Sequence, residues 1–257
     1  MIKRQININF QDFPTELHEL LASGRLYDSS CSVEARTLFC DAGYYIKIAS
    51  KGSLAAETSM GRLLHRIGLG VEVIEYISAS RDFLVTRSAV GEDLTHYLAD
   101  PERLCRVMAD ALRMLHSQTV GGTPVSAKFS QYEASAAMGL ERCPYNEYLV
   151  VDWFGIRSKE EAWEIMQASR DRLQCDALIH GDACLPNIIC DNGRFSSFID
   201  CGLAGAGDRH IDLFWAIWSL QFNLKTDQYT DYFLNLYGKE SIDFERLKVV
   251  AAFELLG

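Results

Sequence analysis

His180-Gly-Asp-Ala-Cys-Leu-Pro-Asn187, continued by Ile188-Ile-Cys-Asp-Asn-Gly-Arg-Phe-Ser-Ser-Phe-Ile-Asp200, decides how this chain is read. It sets three polar groups, Asp182, Asn187 and Asp200, in otherwise apolar sequence. Leu178-Ile179 reads as the end of a short buried strand, and Pro186 keeps a helix from running through the loop. Ile188 to Cys190 and Phe195 to Ile199 read as two strands joined at Asn192-Gly193, a strong hairpin signal. Asn187 and Asp200 then fall at the same end of the hairpin, away from its turn and beside the loop bearing Asp182. A carboxylate next to an amide suits a hard, oxygen-seeking cation such as Mg2+. A second carboxylate nearby can accept a proton from a substrate hydroxyl.

The order Asp, Asn, hairpin, Asp resembles the catalytic and metal-binding loops of kinases. The spelling His-Gly-Asp-x-x-x-x-Asn, with "HGDACLPNI", "NGRFS" and "FIDCG", resembles the aminoglycoside phosphotransferases, and within them the 3'-phosphotransferases. The resemblance implies an α+β, two-lobed protein-kinase-like fold with a small antiparallel-sheet N-lobe and a mostly helical C-lobe. It implies Asp182 as the catalytic base and Asn187 with Asp200 as ligands of Mg2+. The donor would be ATP, with GTP possible, the acceptor a small hydroxylated molecule such as an aminoglycoside, and the outcome antibiotic resistance. His180 is expected to support the loop rather than to react, and Asp212 to buttress it.

The rest of the chain accommodates that reading. Its 257 residues suffice for two lobes with real cores. Strand signals at 35–40, 44–49 and 83–86, with one helical pattern near 55–67, mark residues 1–90 as a strand-rich N-terminal lobe, which the resemblance implies is the nucleotide-binding one. Asp100-Pro101 is a good helix start. Leu104, Val107, Met108, Ala111, Leu112 and Leu115 then recur at helical spacing. Further helices are expected at 160–173, 211–222, 228–236 and 244–256, making residues 91–257 a mostly helical lobe, which the resemblance implies is the catalytic and acceptor-binding one. The change of pattern near residues 86–91 marks the hinge.

A net charge of −10 argues against nucleic acid as the main partner and permits a cationic ligand. The eight cysteines contain no C-x-x-C pair and fall mostly in predicted elements, as reduced, buried thiols do. The N-terminus lacks the apolar core of a signal peptide, and no apolar run is long enough to span a bilayer. A cytosolic protein with no membrane or obligatory protein partner is expected.

On the nucleotide side, Lys47 alternates with Ile46 and Ile48 and so faces away from them. By the resemblance it pairs the ATP phosphates, with Glu57 holding it in place. Ser29-Ser30-Cys31-Ser32 corresponds in position to a nucleotide-positioning loop, with Ser30 and Ser32 as candidates. Arg87-Ser88-Ala89 is the expected adenine-facing hinge, through backbone groups of Ser88 and Ala89. There is no G-x-x-x-x-G-K-[ST] and no G-x-G-x-x-G, which excludes a P-loop.

The acceptor side departs from the family pattern. Glu254 stands where a terminal glutamate is expected, but Phe253 replaces the acid before it. Leu203 replaces an arginine, and Phe222 and Asn223 stand where acids are expected. Glu254, Glu147 and Asp152 are the candidate acceptor ligands, and Trp215 and Trp218 read as a core-facing helical pair. An aminoglycoside, another hydroxylated metabolite or antibiotic, and a nucleotide-binding pseudokinase remain as readings. The intact Lys47, Asp182, Asn187 and Asp200 speak against the last.

Overall fold

The computed structural model describes residues 4–31 and 34–257. The chain divides into two compact units, Met1–Val90 and Gly91–Gly257.

Among the described residues, the first unit is built on six antiparallel strands. These are β1 (Arg4–Ile6), β2 (Leu26–Asp28), β3 (Arg36–Cys40), β4 (Tyr44–Ser50), β5 (Val73–Ser78) and β6 (Arg81–Arg87), in the order β1-β2-β3-β4-β6-β5. Two helices accompany them, α1 (His18–Ala22) and α2 (Ala55–Arg66). Strand alternation divides the residues between two faces. Leu38, Cys40, Ile46, Ile48, Phe83 and Val85 pack with Phe13, Leu17 and Leu21. The opposite face carries Lys47 and its cross-strand partner Leu84, with Ala49, Leu84 and Leu54 in a second cluster below the start of α2.

Asp82 fixes that start. It is fully buried, and its carboxylate accepts from the Leu54 amide at 3.0 Å, the Tyr76 hydroxyl at 3.0 Å and the Ser78 hydroxyl at 2.7 Å. Burial alone would raise the Asp82 carboxyl, but the Gly52 and Leu54 amides and the two hydroxyls outweigh it and hold it at about 2. Its folded-state value thus lies below the ordinary carboxylate value. The stability it contributes is complete above that value and is lost as pH falls through about 2. Asp82→Asn is therefore expected to lower the thermal midpoint at neutral pH and to differ least from the parent near pH 2. A thermal-denaturation series across acid pH checks this, and a pH-independent difference contradicts it.

The second unit is mostly helical. In chain order it contains β7 (Glu92–Asp93), α3 (Pro101–His116), α4 (Ala127–Ala137), α5 (Lys159–Ser169) and β8 (Ala177–Ile179). There follow β9 (Ile188–Asp191), β10 (Arg194–Phe198), β11 (Gly205–Gly207), α6 (Arg209–Leu224), α7 (Thr230–Tyr237) and α8 (Phe244–Leu256). The strands form a β10-β9-β7 sheet and a β11-β8 pair. The Asp100 side chain caps α3 by accepting from the Arg103 amide, and the expected apolar face, Leu104 through Leu115, is buried. Packing pairs α5 with α8, α3 with α7 and α6 with α8.

Several elements carry no strong local pattern: β1, β2, β5 and α4. Six cysteines are buried as expected, but Cys31 and Cys175 are exposed. Among the described residues, no helix is long and apolar enough to cross a membrane.

Candidate active site

The hairpin turn lies at Asn192 and Gly193, both at positive φ (48° and 79°), the geometry that Asn-Gly supports. Phe198 pairs with Ile188, and the Ile199 amide donates to the Asn187 carbonyl at 3.1 Å. Asn187 and Asp200 thus meet at the open end. Asp200 adopts a left-handed conformation (φ 56°, ψ 55°), uncommon for a side-chain-bearing residue, and its side chain is exposed. The Asn187 amide nitrogen donates to Asp182 twice, to its carbonyl at 2.9 Å and to its Oδ2 at 3.0 Å. Asp182 is half-buried beside the buried Asn187.

The loop itself is held from beneath. Asp212, on the first turn of α6 and fully buried, accepts the Gly181 amide on Oδ1 and the His180 amide on Oδ2, both at 2.8 Å. His116 Nε2 lies 3.1 Å from the same Oδ2, and its Nδ1 lies 2.8 Å from the Tyr237 hydroxyl. If Nε2 donates to Asp212, Nδ1 accepts from Tyr237, so one tautomer satisfies both contacts. His180 is fully buried, with Nε2 2.9 Å from the Ile199 carbonyl. Ser219 on α6 accepts the Leu185 amide at 3.0 Å. Gly181 has φ 82°, and a Cβ there would lie 2.5 Å from the Leu203 carbonyl oxygen, so no side chain fits. Burial and then the adjacent Asp182 charge push the Cys184 thiol upward, so it stays protonated.

In the first unit, Lys47 Nζ lies 2.8 Å from Glu57 Oε2, joining β4 to α2. Both side chains keep partial exposure. Ser30 is already engaged: its amide donates to Asp28 at 3.0 Å, and its hydroxyl oxygen accepts the Thr37 amide at 3.1 Å. It closes its own loop rather than offering that amide to a phosphate. Ser32 lies outside the described residues. Ser88 donates its amide to the Gly43 carbonyl at 3.0 Å, and Ala89 is half-buried.

The acceptor-side candidates fall in different surroundings. Glu254 does not face open solvent. It is 1% exposed, and its carboxylate is taken up by Lys128 at 2.6 Å, the Tyr132 hydroxyl at 2.5 Å and the Trp215 indole at 2.9 Å. Burial raises its carboxyl, while Lys128, Tyr132 and Trp215 pull it back. Trp215 and Trp218 are half-buried, not core; the Trp218 indole N–H donates to the Tyr148 carbonyl at 3.2 Å. Of the two loop acids, both exposed, Asp152 lines a cavity of about 360 Å³ with Tyr148, Trp153, Trp218, Phe222 and Lys225, and Glu147 does not. In that cavity Phe222 stacks on Trp218 at 5.0 Å, and Lys225 Nζ sits 4.0 Å over the Phe222 ring.

Sequence reasoning missed Lys128, Tyr132, Ser219 and His116. The start of α4 was nonetheless signalled by Ser126, whose hydroxyl accepts the Phe129 amide at 3.4 Å as an N-cap. Among the described residues, no group of three or more His, Cys, Asp or Glu gathers as a metal site. The donor set at the hairpin end is one carboxylate and one amide. That suits Mg2+, which takes one or two protein ligands and completes its shell with water and phosphate oxygens.

A lysine–glutamate pair on a sheet and helix, with an Asp-Asn-Asp constellation at a hairpin, defines the class of kinase-like phosphotransferases. Residues 32–249 match the Phosphotransferase enzyme family. A probable aminoglycoside 3'-phosphotransferase of Lactococcus lactis subsp. lactis is 41% identical, over 99% of this chain and 98% of its own length. A streptomycin 3''-kinase of Streptomyces griseus is 31% identical, over 67% of this chain and 68% of its own length. The solved aminoglycoside phosphotransferase of Streptomyces rimosus has a TM-score of 0.73 at 21% identity, covering 98% of this chain and all (100%) of that one. Another structure of that enzyme, in complex with ADP and streptomycin, has a TM-score of 0.73 at 19% identity, covering 96% of this chain and 98% of that one. The fold is the two-lobed, kinase-like α+β fold of these enzymes. This chain belongs to the phosphotransferase enzyme family, and it is an enzyme that passes a phosphoryl group to an alcohol acceptor.

Proposed function

We propose that the enzyme transfers the γ-phosphoryl group of ATP to a hydroxyl of an aminoglycoside, the 3'-hydroxyl by the likeness to the Lactococcus relative. The observation that carries this reading is the Asp182–Asn187 contact at the hairpin end beside Asp200, with Asp212 holding the loop amides. Asp182 orients the acceptor hydroxyl and takes its proton as the new O–P bond forms. The bond from the γ-phosphorus to the β,γ-bridging oxygen breaks, and ADP departs. Lys47, held by Glu57, meets the phosphate charge. Asn187 turns its nitrogen to Asp182, so its oxygen, together with the Asp200 carboxylate, would hold Mg2+. The bound cation supplies neutralisation of the developing phosphate charge. Little covalent chemistry falls to the protein, so positioning carries most of the catalysis.

Incubating the purified enzyme with labelled ATP or GTP and a panel of aminoglycosides, macrolides and common hydroxylated metabolites tests this. Transfer to an aminoglycoside is expected. Phosphorylation of another compound with none on any aminoglycoside overturns the acceptor assignment. A non-aminoglycoside acceptor is the second reading, favoured by Phe222 and Asn223 where acids are expected and by the burial of Glu254.

Asp200→Asn is expected to weaken Mg2+-dependent nucleotide binding more than metal-free binding, because a neutral amide is a poorer ligand for a hard cation than a carboxylate. Titrating an ATP analogue with and without Mg2+ measures the difference. Equal losses in both would give Asp200 a structural role.

A further inference from the structure

We infer that Lys128 determines acceptor specificity: its ammonium occupies, from within the chain, a cage of Glu254, Tyr132 and Trp215 made to hold a cationic amine. The consequence for the acceptor rests on the phosphotransfer reading above; the cage does not.

Glu254 Oε1 takes the Tyr132 hydroxyl and the Trp215 indole N–H, which leaves Oε2 for the ammonium at 2.6 Å. Lys128 Nζ lies 5.2 Å from the centroid of the Trp215 ring and 6.0 Å from that of Tyr132. A carboxylate beside two aromatic rings attracts an ammonium both by charge and through the ring faces, as the aromatic cages for cationic ligands do. A buried ion pair is often no more stabilising than apolar residues of the same size, so stability alone gives little reason for a lysine here.

The cage is tied to the catalytic loop. Trp215 offers its carbonyl to Cys184 Sγ, 4.0 Å away, in the loop that carries Asp182. Ser126, which caps the Lys128 helix, donates its hydroxyl to the Leu203 carbonyl just beyond Asp200. Asn146, from the loop that precedes the Trp218 cavity wall, donates to the Glu254 carbonyl at 3.2 Å. An acceptor amine would compete with Lys128 for Glu254, so the preferred acceptor presents a neutral group on this side.

The test empties the cage. Lys128→Ala is expected to lower the thermal midpoint by about 5 °C or more. Propylammonium at roughly 10–100 mM, a weak-ligand range, restores it saturably, whereas 1-propanol does not. Wild type and Lys128→Ala/Glu254→Gln do not respond to propylammonium. A rise matched by propanol, or equal in wild type, overturns the cage. Should Lys128→Ala not fold, Lys128→Met keeps the stem and removes only the charge. It should be less stable than wild type and recover when Glu254→Gln is added; equal stability to wild type overturns the proposal.

For the acceptor, Lys128→Ala should bind kanamycin about tenfold more tightly than wild type in the absence of nucleotide. Amine rescue without tighter drug binding overturns the specificity role. An enzyme that phosphorylates no aminoglycoside would sink the acceptor assignment above, and the amine rescue would still read the cage.

Discussion

Asp182→Ala is expected to reduce phosphoryl transfer by about 10²–10⁴-fold, the usual loss on removing a general base, while nucleotide binding survives. The loop stays in place because its fixing points lie elsewhere: the Gly181 and His180 amides on Asp212 and the Leu185 amide on Ser219. Asn187 loses only its contact to Asp182 Oδ2 and keeps the one to the residue 182 carbonyl. The effect should therefore appear in kcat, with nucleotide affinity little changed. Steady-state kinetics with an identified acceptor, paired with nucleotide titration, separates the two. Turnover within threefold of wild type, against the roughly hundredfold minimum expected, would mean that another group takes the proton.

Asp212→Asn should cost both stability and turnover without touching a ligand. Asp212 accepts three contacts, from two amides and His116, and has no donor to offer. An asparagine of the same shape must turn its NH2 toward one of those N–H groups. A buried donor left without a partner costs about 1–3 kcal/mol. The repulsion and the loosened His116–Tyr237 contact add to that, so a loss of about 2–4 kcal/mol is expected. A urea titration reads it as a lowered midpoint with unchanged slope. The freed loop should lower kcat while nucleotide affinity holds. A stability change below about 0.5 kcal/mol, the range of ordinary surface substitutions, would show that the loop does not lean on Asp212.

The hairpin was legible because its information is local, whereas the Lys47–Glu57 pair was legible only through the resemblance to kinases. Asn192-Gly193 names its turn, and the strands on either side must then bring residue 187 next to 199. In β4, alternation alone separates Lys47 from Ile46 and Ile48; Glu57 came from the resemblance, and its carboxylate lies 2.8 Å from the lysine. The helix α3 announced both its cap and its buried face. By contrast β1 and β2 are short strands, Arg4–Ile6 and Leu26–Asp28, defined by pairing more than by pattern. The helix α4 has few apolar residues and buries Lys128 and Ser135 beside Tyr132, so hydrophobic spacing could not mark it.

The acceptor side was misread for a related reason. Glu254 stands where the family pattern places an acceptor ligand, and sequence carries no information on whether its carboxylate is already paired within the chain. Its burial depends on a lysine on α4 and a tryptophan on α6, and no local pattern relates those positions. Trp215 and Trp218 share a helical face by spacing, yet one indole turns to the Glu254 carboxylate and the other to the Tyr148 carbonyl.

The amino-acid sequence by itself determined the class of chemistry: an aspartate in a loop, an asparagine and a second aspartate across a hairpin, and a lysine on a strand. Strand alternation and turn geometry act over a few residues and leave the backbone little choice. Only the tertiary structure decided which charges remain available to a ligand. A carboxylate brought out of water must find its counter-charge nearby. For Glu254 that partner is Lys128, and it is packing between distant helices that brings the two together.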